Sequence, residues 1–595
     1  MADRYPDRLA VYDQHSQLSY RELDQAANKF ANAILAEKGH TAPVIAIFAS
    51  LDVTALVAAL GVLKAGRAYV GFDDALPDSY CAQILRDAGS TLIVSDAAHA
   101  DQARRLASHQ QRIISIAQSA SYPAQPPATP ISPDTMAILN YSSGSTGQPK
   151  GVAQTHHSAM AQAAGFASQC HLGSGDRVTN FSALAWVGAF WTSFGPLLLG
   201  AVVATCDVRG HNSSQLLDWL EQTDVTVIMG SPSLVCQIAE QAEGYSLPGV
   251  RLVHMGGDTI YRRYVERCRR AFPTALISAG LGTSEAGRLA EWLIDADAQF
   301  DGETVPVGLA LPGIKILLLN EEGEEVEEGE AGEIAVQSSY QASGYWKRPD
   351  LTAAKFRIDP RFGPLPIYLT GDIGRFEANG SLRHLGRKDF QVKIRGYRVH
   401  INEIEGHLIR QSGILEACVA LQRTPNQNDV LVAYVVAAPE STERIDELQA
   451  SLAADLPAYM IPQRFVFLPE LPRTPNKKLD RNRLPGLTST RPDLSNRFAA
   501  PNSPMGLRLT AIWEEVLGIS PIGINDTFLA LGGDSLKATQ VANRVLRSFG
   551  LNIPLMTILS AATVAKMASI VLEHLLSELS DEESRELLNG EMRTT

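Results

Sequence analysis

The sequence predicts an α/β fold in a large multi-layer N-terminal domain, followed by a small α+β unit and then a short all-α unit. Two observations predict it. Through roughly the first 310 residues, short β-branched runs alternate with amphipathic helical patterns, as in a layered α/β domain. Beyond Gly386 the texture changes twice, first to longer strands with two helices, then to helices alone. At 595 residues the chain is also too long for one core.

The elements follow in order. "YRELDQAANKFANAIL" and "SLVCQIAEQA" read as amphipathic helices. "APVIAIFA", "RAYVGF", "TLIVSD", "VTVIMG", "VRLVHMG" and "ALISAG" read as buried strands. "YPAQPPATPISPD" (122–134) reads as a proline-rich surface linker. The acidic run "EEGEEVEEGE" (321–330), between "IKILLLN" and "GEIAVQ", reads as a solvated turn between two strands. In the α+β unit, "FQVKIRGYRV", "ILEACVALQR" and "DVLVAYVVAA" are strands, and "INEIEGHLIRQ" and "ERIDELQASLAADL" are helices. "GLTSTRPDLSNRFAAPNSP" (486–504) is a polar second linker. "GLRLTAIWEEVLGI", "SLKATQVANRVLRSFG" and "TVAKMASIVLEHLLSEL" form the helical unit, and a frayed tail closes the chain. The boundaries are 1–388, 389–488, linker 489–503, 504–577 and tail 578–595.

Composition narrows the function. A net charge of −13 argues against a nucleic-acid-binding face. No apolar run reaches the roughly 18 residues of a membrane span, and "MADRYPDRLAVYDQ" has no signal core, so a cytoplasmic protein is expected. Six scattered cysteines, none in CxxC, suggest neither a disulfide framework nor a zinc site.

One stretch carries chemistry. "YSSGSTGQPKGV" (141–152) packs hydroxyls, glycines and a lysine into a short loop. It is not GxxxxGK[ST], but Ser142, Ser143, Ser145 and Thr146 offer donors, Gly144 and Gly147 admit an anion to the backbone, and Lys150 adds charge. By itself it is as much a linker as a phosphate cradle.

Its companions decide. With "LSYRELDQAANKFANAI", "KAGRAYVGFDDALP", "LGTSEAG", "GEIAVQ", "YLTGDIGRF", "GRKDFQVKIRGYRVHINEIE" and "PNKKLDRNRLP" in order, the chain resembles the adenylate-forming superfamily. Within it, the likeness is to adenylation domains of nonribosomal peptide synthetases. The resemblance implies that the loop holds the β- and γ-phosphates of ATP. It implies Glu285 as the Mg²⁺ ligand, Ser284 near the α-phosphate, Asp372 on both ribose hydroxyls, and Arg387 supporting ribose and phosphate. Lys478 would neutralise charge as the acyl oxygen attacks, with Lys477 its rival by one position. Asp389 would be the hinge about which the small domain turns, presenting Lys478 in one orientation and the "KIRGYRV" loop in the other.

"DTFLALGGDSLKATQVANRV" resembles the attachment motif of four-helix carrier domains, with Ser535 bearing 4′-phosphopantetheine. The resemblance therefore implies a ligase that activates a carboxylic acid as an acyl-adenylate and passes it to its own carrier thiol. A phosphopantetheinyl transferase is implied as one partner. A downstream condensation, ketosynthase or acyltransferase domain is implied as another. "HHSAMAQ" (156–162) lacks the Asp-Gly of a condensation motif and reads as packing.

By the same alignment the acyl pocket is Val187, Gly188, Trp191, Met229, Val253, Met255, Gly280, Arg288 and Leu289, apolar apart from Arg288. Relatives that take α-amino acids carry at Val187 an Asp that pairs with the ammonium. Valine there implies an acid without one: α-keto, α-hydroxy, aryl or short acyl, with α-keto and α-hydroxy preferred. Arg288 either pairs with a nearby acid such as Glu291 or snorkels, or it meets a substrate oxygen. Leu281 and His384 stand where aromatic residues are common, which would alter adenine stacking. The alternatives are an apolar α-amino acid as substrate, a free acyl-CoA ligase with a passenger carrier domain, and an idle scaffold.

Overall fold

The structure is a computed structural model. It describes the chain except residues 38–41, 75, 143–148, 212, 243–246, 296, 300–303, 389–390, 395–396, 424–428, 439–444, 474–478, 480, 487–488, 493, 495, 552, 555–556, 559–562 and 579–595. Two compact units emerge, Met1–Asp207 with Leu217–Val399, and Val208–Leu216 with His400–Thr595.

The first unit carries three large sheets. One has seven strands, mostly parallel, one has nine strands of mixed direction, and one has five strands. Helices fill the space between the first two. The helix Tyr20–Ala36 starts at Ser19, whose side chain and that of Glu22 satisfy each other's backbone donors, a capping box. Phe30 from it packs with Phe190, Phe194 and the strand residues Ile45, Ile47, Tyr69 and Ile138. Full burial of one such phenylalanine contributes about 2–3 kcal/mol. The helix His156–Gln169 serves both sheets. Ala159 and Ala163 face that cluster, while Phe166 and Cys170 meet Val178, Val227, Met229 and Leu252 of the nine-stranded sheet.

The other expected strands and helices are present, but "FQVKIRGYRV", expected as one strand, is instead a hairpin of two paired strands, Gln391–Ile394 and Tyr397–His400. The acidic run joins the antiparallel strands Lys315–Leu319 and Gly332–Gln337. The first compact unit runs to Val399, and the Tyr397 ring lies 4.4 Å from that of Trp186. The proline-rich segment is also less free than its composition suggests. Asn28 and Asn32 donate to the carbonyls of Pro123, Ala124 and Gln125.

In the second unit, strands Ile414–Arg423, Asp429–Ala437 and Arg464–Phe467 form one sheet, accompanied by helices Ile401–Ile409 and Ile445–Asp455. Beyond it, helices Pro504–Leu517, Ser535–Phe549 and Val564–Glu578 close around Trp513 and Phe528. Four helices are implied by the sequence; these are the three long ones among the described residues. The two parts touch. Arg464 donates to the Leu517 carbonyl (3.2 Å) and Gln449 to that of Leu529 (3.3 Å). Burial pulls Arg464 down to about 10. A side chain on Gly532, at φ +81°, would lie 2.5 Å from the Gln463 carbonyl.

The second linker is a strap. Arg491 donates through Nη2 and Nε to the two carboxylate oxygens of the fully buried Asp526 (2.7 and 2.8 Å), which also accepts from Asn496 and the Gly523 N–H. Burial alone would raise the Asp526 carboxyl, but these bonds outweigh it and hold it below its usual value. Its contribution is therefore present above about pH 4, the unfolded value, and lost as pH falls through the lowered folded one. Arg491→Ala leaves that charge unpaired and is expected to destabilise the carrier by about 3 kcal/mol. Denaturant unfolding at neutral pH followed by Trp513 fluorescence checks this, and an unchanged midpoint would refute it.

Candidate active site

Strands Met136–Ser142 and Lys150–Thr155 pair antiparallel with Ser142 opposite Lys150, so the glycine-rich loop is their turn. Ser143, Gly144, Ser145, Thr146 and Gly147 lie outside the described residues. Ser142 Oγ is buried at the loop's base without a hydrogen-bond partner. Across from it is the turn Ser284–Ala286. Ala286 N–H donates to Thr283 Oγ1 (3.0 Å) and Gln154 Nε2 to the Ser284 carbonyl (2.9 Å). Gly287 closes the turn at φ +73°, where a Cβ would strike Gln162 at 2.6 Å.

Glu285 is fully buried in that turn. Its Oε1 accepts from Tyr345 Oη (2.8 Å) and lies 3.5 Å from Lys150 Nζ, which sits over the Tyr345 ring. The loop lysine and the turn carboxylate thus share one locus. A carboxylate is the oxygen donor that suits Mg²⁺ beside phosphate oxygens.

Asp372, also fully buried, lies opposite Arg387 in the pair of strands Ile367–Phe376 and Leu382–Arg387. Its Oδ1 accepts from Arg387 Nη1 (2.7 Å) and His384 Nε2 (3.2 Å), while Oδ2 is buried with no partner. Burial would raise this carboxyl, but His384, Lys393 and Arg387 hold it well below the usual carboxylate range. One oxygen is therefore committed to the protein and one is open, which fits a ribose hydroxyl donor. Arg387 braces Asp372 and the Thr370 carbonyl (3.0 Å).

The helix Val187–Leu199 brings Val187, Gly188 and Trp191 to one side of the nine-stranded sheet. Trp191 Cη2 lies 3.5 Å from where a Gly282 Cβ would be, and its Nε1 donates to Gln162. Here the expected pocket needs correction. Met229, His254 and Ser278 are paired across three parallel strands, as are Gly256 and Gly280, so their side chains share a face. Val253 and Met255 alternate to the opposite face, and Leu289 packs with Leu281, Ala286 and Val307. The face of Met229 and Gly280 therefore also carries His254 and Gly256.

That face is not apolar. Arg288 Nη2 lies 2.8 Å from Glu291 Oε1, and Nη1 lies 3.7 Å from Cys170 Sγ. The approach to Glu291 is off the N–H axes, so Arg288 Nε and Nη2 make no hydrogen bond. Ser278 Oγ donates to Glu291 Oε1, and His254 Nδ1 is 2.8 Å from Ser278 Oγ. Cys170, His254 and Glu291 have the spacing of metal ligands. Arg288 supplies the positive charge there instead, and burial pushes the Cys170 thiol up to about 11, away from the thiolate a metal needs. Polar His254 between Leu252 and Gly256 on an otherwise buried strand was the available signal for this network.

In the second unit, Ser535 is the first residue of its helix. Asp534 takes the cap, accepting from the Lys537 N–H (2.9 Å), so the serine is not needed for it. Lys477, Lys478 and Asp389 lie outside the described residues.

A family model described as AMP-binding enzyme matches residues 1–346. Its C-terminal domain matches 403–478, and a phosphopantetheine attachment site matches 508–571. Tyrocidine synthase 2 of Brevibacillus parabrevis is 30% identical, over 100% of this chain and 16% of its own length. Tyrocidine synthase 3 of the same organism is 32% identical, over 96% of this chain and 9% of its own. The chain thus spans less than a quarter of either relative. Among solved structures, holo-PA1221 is described as an NRPS protein containing adenylation and PCP domains bound to a vinylsulfonamide inhibitor. It matches with TM-score 0.78 at 25% identity, over 96% of this chain and 94% of its own. Amide bond synthetase McbA from Marinactinospora thermotolerans shares the fold at TM-score 0.71 and 23% identity, over 80% of this chain and 96% of its own. The chain therefore belongs to the AMP-binding enzyme family, as an adenylation domain of nonribosomal-peptide-synthetase type joined to a carrier domain: a ligase that uses ATP and Mg²⁺ and bears 4′-phosphopantetheine.

Proposed function

We propose that the chain activates a carboxylic acid lacking a free α-ammonium, an α-keto or α-hydroxy acid first among them, and loads it onto its own carrier domain for nonribosomal peptide or hybrid polyketide assembly. The observation that carries this is Val187. It opens the pocket helix with an apolar side chain where a carboxylate would be needed to pair an ammonium. An ammonium buried there without a partner costs about 3–5 kcal/mol, or 10²–10⁴ in selectivity.

The residues divide the work. Glu285 would hold Mg²⁺, which screens the phosphates. Ser142, Ser143, Ser145, Thr146, Lys150 and the backbone of Gly144 and Gly147 would cradle the phosphates, Ser284 would contact the α-phosphate, and Asp372 Oδ2 would take a ribose hydroxyl. The acid carboxylate attacks the α-phosphorus and pyrophosphate leaves, with Lys478 neutralising the charge that develops. The phosphopantetheine thiol on Ser535 accepts the acyl group and AMP leaves. Asp389 would be the pivot between the two steps. Lys393 helps depress Asp372, and the Tyr397 ring lies against that of Trp186. The thioester would pass to a downstream condensation, ketosynthase or acyltransferase partner, after a phosphopantetheinyl transferase has primed the carrier.

The test is ATP–pyrophosphate exchange with acids matched except at the α-carbon, such as 2-oxo-4-methylpentanoate against leucine, repeated over several side chains. The keto or hydroxy member is expected to lead by roughly 10² or more, and Val187→Asp to move the preference towards the amino acid. A consistent preference for the amino acid would refute the reading.

A further inference from the structure

The floor of the acyl pocket is built to meet a polar group. Gly256 and Gly280 carry no side chain there, and Arg288 and His254 take up the space a Cβ would need. Arg288 Nη2 lies 2.9 Å from where a Gly280 Cβ would be, and His254 Cε1 lies 3.1 Å from it. His254 Nε2 lies 3.1 Å from where a Gly256 Cβ would be. The imidazole and the guanidinium therefore converge beside Gly280.

Their hydrogen-bonding capacity follows from the network behind them. A carboxylate only accepts, so the Ser278 hydroxyl proton is spent on Glu291. Ser278 Oγ must then accept from His254, which places that proton on Nδ1. Burial, with the nearby Arg288 charge, holds His254 well below 6.5, so the ring is neutral and Nε2 keeps a bare lone pair. Arg288 Nε and Nη2 have N–H groups without a hydrogen-bond partner on a side chain only 7% exposed. The floor thus offers one acceptor and unused donors. Gly280 is four residues from Ser284, roughly 10–13 Å along the strand, so the carboxylate end of the acid does not reach it.

Building on the adenylation reading, we propose that the acid carries a neutral hydroxyl, alcohol or phenol, at the end remote from its carboxylate, which donates to His254 Nε2 and accepts from Arg288. A methyl in that place leaves both protein groups unsatisfied. A carboxylate sets lone pair against lone pair at His254 and brings a second anion beside Glu291. An ammonium cannot accept from Arg288 and adds a cation to it.

The test is exchange by the full chain with paired acids that differ only in the distal hydroxyl. One set comprises 3-(4-hydroxyphenyl)-2-oxopropanoate against 3-phenyl-2-oxopropanoate and 4-hydroxybenzoate against benzoate; the other comprises ω-hydroxy against unsubstituted 2-oxoalkanoates. In at least one pair the hydroxylated member is expected to lead in kcat/KM by roughly 10²-fold or more, as at sites that hydrogen-bond a substrate hydroxyl. The aromatic and aliphatic pairs separate phenol from alcohol. His254→Leu should bring that ratio to near one. So should Arg288→Met combined with Glu291→Gln, which leaves no unpaired charge and keeps an acceptor for Ser278. Equal or better use of the unsubstituted member in every pair, or a ratio unmoved in both variants, overturns the proposal. Tyrosine and phenylalanine separate it from the reading of Val187. A hydroxyl preference with tyrosine ahead of its keto counterpart sinks only the latter. Keto acids leading without a hydroxyl preference sink only this one, and exchange with no acid sinks both.

Discussion

Ser535→Ala is expected to abolish covalent acyl loading while leaving ATP–pyrophosphate exchange nearly intact. On this assignment the hydroxyl would be required only because the prosthetic arm is esterified to it, and the arm would take part only after the adenylate exists. The fold should tolerate the change, because the start of the helix Ser535–Phe549 is capped by Asp534 and not by the serine. Intact-mass measurement after treatment with a phosphopantetheinyl transferase, with and without ATP and acid, gives the answer. Acyl mass on the alanine variant would refute the assignment. The same measurement on the unaltered chain separates the didomain from a free CoA ligase, whose acyl group would leave in solution, and from an idle scaffold, which would never load.

Lys478→Ala is expected to reduce adenylation by roughly 10²-fold or more, the scale on which losing one charge-stabilising donor acts. Thioester formation from pre-made acyl-adenylate should suffer much less, because the lysine would stabilise attack at the α-phosphorus, whereas in the second step the thiol attacks the carbonyl carbon and no bond to phosphorus forms or breaks. Exchange and single-turnover transfer, run on the same preparation, compare the two. A larger loss in Lys477→Ala would move the assignment by one residue.

Much of this was legible from the chain itself. The turn at Glu285, the Asp372 strand and the cap before Ser535 each depend on neighbours within a few residues, so the resemblance of their short motifs was enough to point to them. Val253 and Met255 do not share the face of Met229 and Gly280, because a strand turns alternate side chains to opposite faces. A slip of one residue exchanges the whole lining, and the face of Met229 and Gly280 holds His254. The Arg288 network was hidden for another reason. Cys170 stands 118 positions from Arg288, and nothing local foretells that a helix end and a sheet strand converge there. The same holds for Arg491 and Asp526, 35 positions apart, which turn a stretch of linker composition into a fastening.

The contact of Gly532 with Gln463 bears on engineering. Assembly lines of this kind invite cut-and-paste construction, with the carrier treated as an interchangeable bead and the splice placed in residues 489–503. Here that splice would part Arg491 from Asp526, or Arg464 and Gln449 from the carbonyls they hold. It would also demand that the incoming bead present no side chain at the one position where a Cβ would lie 2.5 Å from the Gln463 carbonyl. The natural cassette is longer. It begins at His400, where the second compact unit begins its main run, and carries the donor's subdomain along with its carrier, so that the mated surfaces travel as a pair.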